Sequence, residues 1–297
     1  MTTDITRPKL DSRLNPYRED LAAEYLRGKV EARRFVVGMR RQVVRPAVAL
    51  RRRPAASAGF ETEALFGEVV TVYDEADGWV WGQLERDGYV GYLPADSLSA
   101  DVRPATHKVS ALGTFLYPAP DIKTPPIMHL SITAPLAVVE RVDRFYRLAT
   151  GGFVFDRHVS EQTRWYRDFV DIAERLIGTP YLWGGRTRIG LDCSGLVQVS
   201  MEAAGLTAPR DTDMQQAQIG RQITIGRSLD GLQRGDLIFW PGHVGIMCDG
   251  VMMVHANAHH MAVAVEPLAE AVHRISKTGS EISAVKRPGA LSAHATG

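Results

Sequence analysis

Two small antiparallel β-barrels followed by an α+β domain are the architecture this sequence predicts, and three observations carry that prediction. Short alternating runs rich in β-branched and aromatic residues fill the stretch from about 42 to 160. Their texture recurs once, in the same order, as imperfect copies. Beyond 160 helical spacing returns, and apolar runs of strand length follow it. A length of 297 residues accommodates two or three domains. Hydrophobic residues make up 45% and charged residues 23%, the proportions of an ordinary globular protein. A net charge of +1 gives no reason to expect a nucleic acid or a charged membrane surface as partner. No apolar run approaches the ~18 residues that suggest a membrane span. The opening MTTDITRPKL has no basic stretch leading into an apolar core, so no signal peptide is expected. On that reading the two cysteines, Cys193 and Cys248, stay reduced and the chain is cytoplasmic.

Residues 1–41 are polar and helix-prone, notably PYREDLAAEYLRGKVEARR, and are expected to form a helical extension packed on a later domain. Residues 42–104 are expected to form the first barrel: VVTVYDE, WVWGQLE and YVGYLP are separated by ADG and RDG, which are hairpin signals. The second barrel, 105–160, repeats the order with LAVVERV, FYRLAT and FVFDRHV. The α+β unit spans 161–286. In EQTRWYRDFVDIAERLIGTPY, Trp165, Phe169, Ile172 and Leu176 fall on one helical face, with Gly178 as the stop. GLDCSGLVQVSMEAAGL then reads as a loop and a short helix ended by Gly205, and DLIFW, HVGIM and VMMVHA read as strands. Residues 287–297 are expected to be a frayed tail.

Cys193 sits in GLDCSG just before an apolar helical face, and three roles compete for it: a helix start, a metal ligand or a nucleophile. The first turn of a helix offers unpaired N–H groups and the positive end of the dipole. A cysteine there is expected to have its thiolate stabilised, and the same N–H groups can hold an oxyanion. A nucleophilic thiol needs a base, usually histidine. Only His243 and His255 among the nine histidines bound apolar alternating runs of one expected hairpin. With Cys248, Asp249 and Gly250 as the loop, His243 lies directly across from His255 on one face; any even-length loop would separate the rings. His243 could then take the thiol proton while His255 fixes its tautomer, with Asn257 as a less favoured orienter. Two half-buried structural rings, or zinc held by Cys193, His243 and His255, remain open. The zinc reading lacks a fourth ligand at a usual spacing.

Taken together, PYLWGGRTRIGLDCSGLV, PRDTDMQ, RGDLIFWPGHVGIM and MVHANA resemble the NlpC superfamily of papain-like cysteine peptidases, which cleave peptide stems of bacterial cell wall. The resemblance implies Cys193 as nucleophile, His243 as base and His255 as third member, with Tyr181 near the reacting centre and no metal or organic cofactor. The upstream barrels resemble bacterial SH3-like domains. That combination is similar to a subgroup of γ-D-glutamyl-L-diamino acid endopeptidases that cut freed wall peptides bearing an unblocked L-alanine and release L-Ala-γ-D-Glu. It implies Asp192 and Ser194 at the substrate's amine, Arg210 and Thr212 nearby, and an acid and a tyrosine from the first barrel. Glu63, Glu68, Tyr89 and Tyr92 are the candidates for those two places. Rival readings are an exported hydrolase or amidase of intact wall, and a non-catalytic wall- or peptide-binding module.

Overall fold

Asp77 and Gly78 both take positive φ, 51° and 77°, as a two-residue hairpin turn of the primed type requires. They join the strands Val69–Ala76 and Trp79–Leu84, where the sequence signalled a hairpin. The structure is a computed structural model that describes residues 10–226 and 229–289. The first nine residues of the expected extension and residues 290–297 of the expected tail lie outside the described residues.

Those two strands belong to a seven-stranded antiparallel sheet. Its order is Phe60–Leu65, Ala47–Arg51, Val90–Pro94, Trp79–Leu84, Val69–Ala76, Met39–Val43 and Leu98–Ser99. Leu50, Val70, Val80, Leu84 and Leu93 form its core. The sheet begins at Met39, just ahead of the expected boundary. From His107 to Glu161 a three-stranded and a five-stranded sheet enclose a second core around Leu116, Leu130, Leu136, Leu148 and Val154. The recurring texture therefore corresponds to two successive β units.

The extension is not helical. Its described part holds a short parallel pair, Leu21–Ala23 with Arg34–Val36, and a single 3-10 turn, Glu24–Leu26. Leu21, Ala22 and Ala23 are fully buried, which a strand crossing the surface of the first β unit allows. Leu14 packs on that unit's core, and the Arg18 guanidinium lies over the Trp81 ring, 4.4 Å from its centroid. Tertiary burial has overridden the helix propensity of the segment.

In the α+β unit, α1 runs Phe169–Arg175 and is shorter than the apolar spacing suggested. Asp168 caps it by accepting from Val170 N, so Trp165 precedes the helix, and its ring lies against Gly205. The remaining helices are α2, Cys193–Ala203; α3, Thr212–Gln218; and α4, Leu268–Ser276. A six-stranded antiparallel sheet backs them. Its order is Arg221–Gln222, Ala284–Arg287, Leu237–Trp240, His243–Met247, Met252–Asn257 and Ala262–Pro267. Arg287 is thus the end of an inner strand, paired to Asp236 at 2.7 Å, and not the start of a tail.

The hairpin that carries the histidines differs in register from the expected one. Asp249 Oδ1 accepts from both Val251 N and Met252 N at 2.7 Å, an Asx turn that makes Asp249 the first loop residue. Cys248 stays paired with Met252, and Met247 faces Met253 where Val251 was expected. The loop still has an odd number of residues, so both rings remain on one face. They meet diagonally instead of directly across the ladder.

Candidate active site

Cys193 is the first residue of α2, and Asp192 is its cap. Asp192 Oδ1 accepts from Gly195 N at 2.7 Å, and Asp192 O takes Leu196 N. Among the described residues the N–H groups of Cys193 and Ser194 take no partner, and they are the donors an oxyanion would meet. Position 195 must be glycine, because a Cβ there would collide with the Gly185 carbonyl. The Cys193 sulfur lies 3.9 Å from Gly242 O and 3.9 Å from Thr212 Oγ1, and Val244 N–H donates to it. Gly242 and Val244 flank His243, so the sulfur rests against the backbone that carries the base.

The relay behind the base is longer than expected. His243 Nε2 is 2.9 Å from His255 Nδ1, and His255 Nε2 is 2.7 Å from Glu266 Oε1, which also accepts from Arg274. A carboxylate held by a guanidinium can only accept, which assigns the protons along the chain. His255 carries its hydrogen on Nε2 and accepts at Nδ1 from His243 Nε2–H. His243 Nδ1 is then left with a lone pair, as a general base requires. Burial pushes both imidazoles down to about 3, with neighbouring positive charge as a further cause, so both rings are neutral. Sequence reasoning missed Glu266 and Arg274. Asn257 does not orient His243; its Oδ1 accepts from His260 N and shapes the next turn.

The thiol departs from expectation. Burial first, and then the Asp192 carboxylate, push Cys193 up to about 11, against the hydrogen bonds from Val244 and Thr212. Desolvation outweighs the helix start, and the resting group is a thiol. Alkylation of Cys193 by iodoacetamide, followed by peptide mapping, should therefore accelerate about tenfold per pH unit from pH 7 to 9. A rate already level at neutral pH would instead indicate a thiolate–imidazolium pair.

A cavity of about 380 Å³ opens at the sulfur. It is lined by Tyr181, Asp192, Ser194, Arg210 and Thr212, and also by Arg13, Arg52, Glu61, Asp211 and Asp213. Burial, and then proximity to Cys193, raise the Tyr181 phenol. A larger cavity of about 730 Å³, between the second β unit and the α+β unit, is not lined by Cys193 or the relay.

Among the residues expected at the substrate's amine, Asp192 and Ser194 reach the cavity but are internally engaged. Arg210, itself 1% exposed, donates to Asp192 Oδ1 at 3.0 Å, to Asp192 Oδ2 at 2.7 Å and to Ser194 Oγ at 2.8 Å. Its Nε donates to Thr62 Oγ1 at 2.8 Å, so Arg210 locks the helix start to the first β unit. Glu63 and Glu68 do not line the cavity. They bind Arg186, Glu63 Oε2 through the backbone N–H and Glu68 Oε1 through the guanidinium. Tyr92 accepts from Arg18, away from the site. Tyr89 is buried and does not line the cavity either, but it donates to the cavity-lining Asp211 at Oδ2, 3.0 Å away.

Besides Asp192, the acids that line the cavity are Glu61, Asp211 and Asp213, none of which the sequence singled out. Burial raises the Asp211 carboxyl despite the cations beside it. Arg13 of the extension donates to Asp211 Oδ2 and to Asp213 Oδ2, both at 2.7 Å.

A model of the bacterial dipeptidyl-peptidase SH3 domain matches residues 50–98, and the NlpC/P60 family model matches residues 178–278. A γ-D-glutamyl-L-lysine dipeptidyl-peptidase of Bacillus subtilis is 28% identical over 76% of this chain and 80% of its own. A probable endopeptidase NlpC of Escherichia coli is 44% identical over 27% of this chain and 54% of its own. The crystal structure of an NlpC/P60 family protein from Bacillus cereus superposes with a TM-score of 0.69 over 84% of this chain and 99% of the other, at 20% identity.

Proposed function

The chain carries an NlpC/P60 cysteine-peptidase domain behind a bacterial SH3 domain, and from that premise we propose that it hydrolyses the γ-D-glutamyl–diamino acid bond of freed cell-wall peptides, releasing L-Ala-γ-D-Glu. The observation that carries this reading is the acid-lined end of the cavity at the nucleophile. Glu61 of the first β unit and Asp211 and Asp213 at the start of α3 line the same cavity as Cys193. A substrate ammonium entering a partly buried site needs a carboxylate counter-ion, and these acids can supply one by exchanging it for the guanidinium each now holds, Arg13 on Asp211 and Asp213 and Arg52 on Glu61. The 28% identity to a γ-D-glutamyl-L-lysine dipeptidyl-peptidase, over 76% of this chain, supports the same bond.

In the proposed reaction His243 Nδ1 takes the Cys193 proton as the sulfur attacks the amide carbonyl. The Cys193 and Ser194 N–H groups, with Tyr181 beside them, receive the oxyanion. His243 then returns the proton to the leaving amine, and water, with His243 as its base, clears the thioester. His255 and Glu266 hold the ring in the tautomer that makes each transfer possible. A cytoplasmic place in peptide recycling fits a site that recognises a free amine, and we propose it on that ground.

Product analysis by mass on L-Ala-γ-D-Glu-diaminopimelate, its N-muramyl form and purified sacculi tests the reading. The free peptide is expected to yield the dipeptide, the other two to yield little, and Cys193→Ala to yield nothing. Equal rates on blocked and free peptides would overturn the amine requirement, and release from sacculi would favour a wall hydrolase.

A further inference from the structure

Behind the relay lies a second cluster that the proposed reaction does not use. His255, Glu266 and His260 offer ligand atoms that all lie within 4.8 Å of one another. The cluster opens onto a surface cavity of about 750 Å³ that is lined by His259, His260, Glu266 and His273.

Asn257 prepares His260 as a ligand. The backbone N–H of His260 donates to the Asn257 side chain at 2.8 Å, which identifies the accepting atom as the amide oxygen. His260 Nδ1, 3.0 Å from the same oxygen, must therefore carry the ring hydrogen. Its exposed ring is left with a lone pair on Nε2. A hydrogen bond from the far nitrogen to an oxygen is the usual means of orienting a metal-ligating histidine. Glu266 is prepared as well: Oε1 is taken by His255 and Arg274, whereas Oε2 has no hydrogen bond among the described residues.

We propose that His255 Nε2, His260 Nε2 and Glu266 form an inhibitory site for a divalent transition metal ion, of which zinc is the representative probe. Two imidazoles and one carboxylate are a donor set suited to zinc, with water completing the coordination. The site would act through the relay and not through the thiol. A metal on His255 Nε2 forces that ring's hydrogen to Nδ1. His243 must then accept at Nε2, and its own hydrogen moves to Nδ1. No proton is gained or lost by either ring, yet the lone pair that served Cys193 is gone.

Calorimetric titration of zinc into the full chain bearing Cys193→Ala, which removes the competing thiol, reads the site directly. One zinc per chain at micromolar affinity is expected, weakened at least tenfold when His260→Ala or His260→Gln is added. In the chain with its cysteine intact, His260→Ala should leave the metal-free rate within twofold and raise the zinc concentration for half-inhibition at least tenfold. No binding to the Cys193→Ala chain, binding unaffected by both His260 substitutions, or zinc inhibition unchanged by His260→Ala would each overturn the proposal.

Discussion

Glu266→Gln is expected to lower kcat on the order of 10³–10⁴-fold while leaving KM nearly unchanged. The magnitude is that of removing the charge from the third member of a hydrolase triad, where the wrong tautomer of the base becomes the stable one. The cause here is specific. Glu266 does not line the cavity at Cys193, so ground-state contacts with substrate should survive its replacement. It does fix the hydrogen of His255 on Nε2, and through it the lone pair of His243 on Nδ1. A glutamine amide can present either an oxygen or an N–H to His255. Arg274 donates to the same oxygen and favours the carbonyl there, so what the substitution removes is the negative charge that holds the ring's hydrogen on Nε2 and stabilises the imidazolium formed during transfer. Steady-state kinetics on the free tripeptide, with thermal melting as a control for folding, provide the measurement. A loss below tenfold in kcat would show that His255 alone orients the base.

The positions of Cys193, His243 and His255 were legible because each depends on short-range pattern. A capping acid before an apolar helical face places the sulfur at the start of α2, and the period of two in a hairpin requires only that its loop be odd. The pairing itself was not legible, because the Asp249 side chain, not the apolar pattern, chooses where the turn begins. Glu266 lies on the following strand, Ala262–Pro267, where Ala264 pairs with His255. A lone acid two residues beyond Ala264, on the same face, was the available signal. The thiol's raised pKa could not be foreseen, since helix position predicts one direction and depth of burial decides the other. Nor could the contributions of Glu61, Asp211 and Arg13 to the cavity, which depend on how the first β unit and the extension dock on α3. The strand Phe60–Leu65 shows the difficulty. Glu61 and Glu63 are two residues apart, yet the ladder pairs Arg51 with Phe60 and Leu50 with Thr62, which leaves Glu61 in a bulge; Glu61 lines the cavity while Glu63 accepts from Arg186 N at 2.8 Å. Simple alternation would have put both on one face.

Arg186→Ala is expected to destabilise the chain by about 3–5 kcal/mol, the usual cost of stripping one partner from a buried ion pair. Arg186 is 0% exposed and joins two units: NH1 donates to Glu68 Oε1 at 2.7 Å in the first β unit, and NH2 to Glu202 Oε2 at 2.9 Å on α2. Without it Glu68, 5% exposed, keeps only Arg86, at 3.1 Å, as a cationic partner among the described residues. At about 2–4 °C per kcal/mol for a chain of this class, the thermal midpoint should fall by roughly 10 °C. Adding Glu68→Gln should restore part of the loss, because the stranded charge and not the missing packing dominates it. The same contact also bears on the reaction. Glu61 and Arg52 reach the cavity from the unit that Arg186 holds in place, so loosening the junction should raise KM for the free tripeptide more than it lowers kcat. A midpoint unchanged within 2–3 °C, or kcat falling while KM stays fixed, would mean that the first β unit is held by other contacts and that Arg186 acts on the helix start alone.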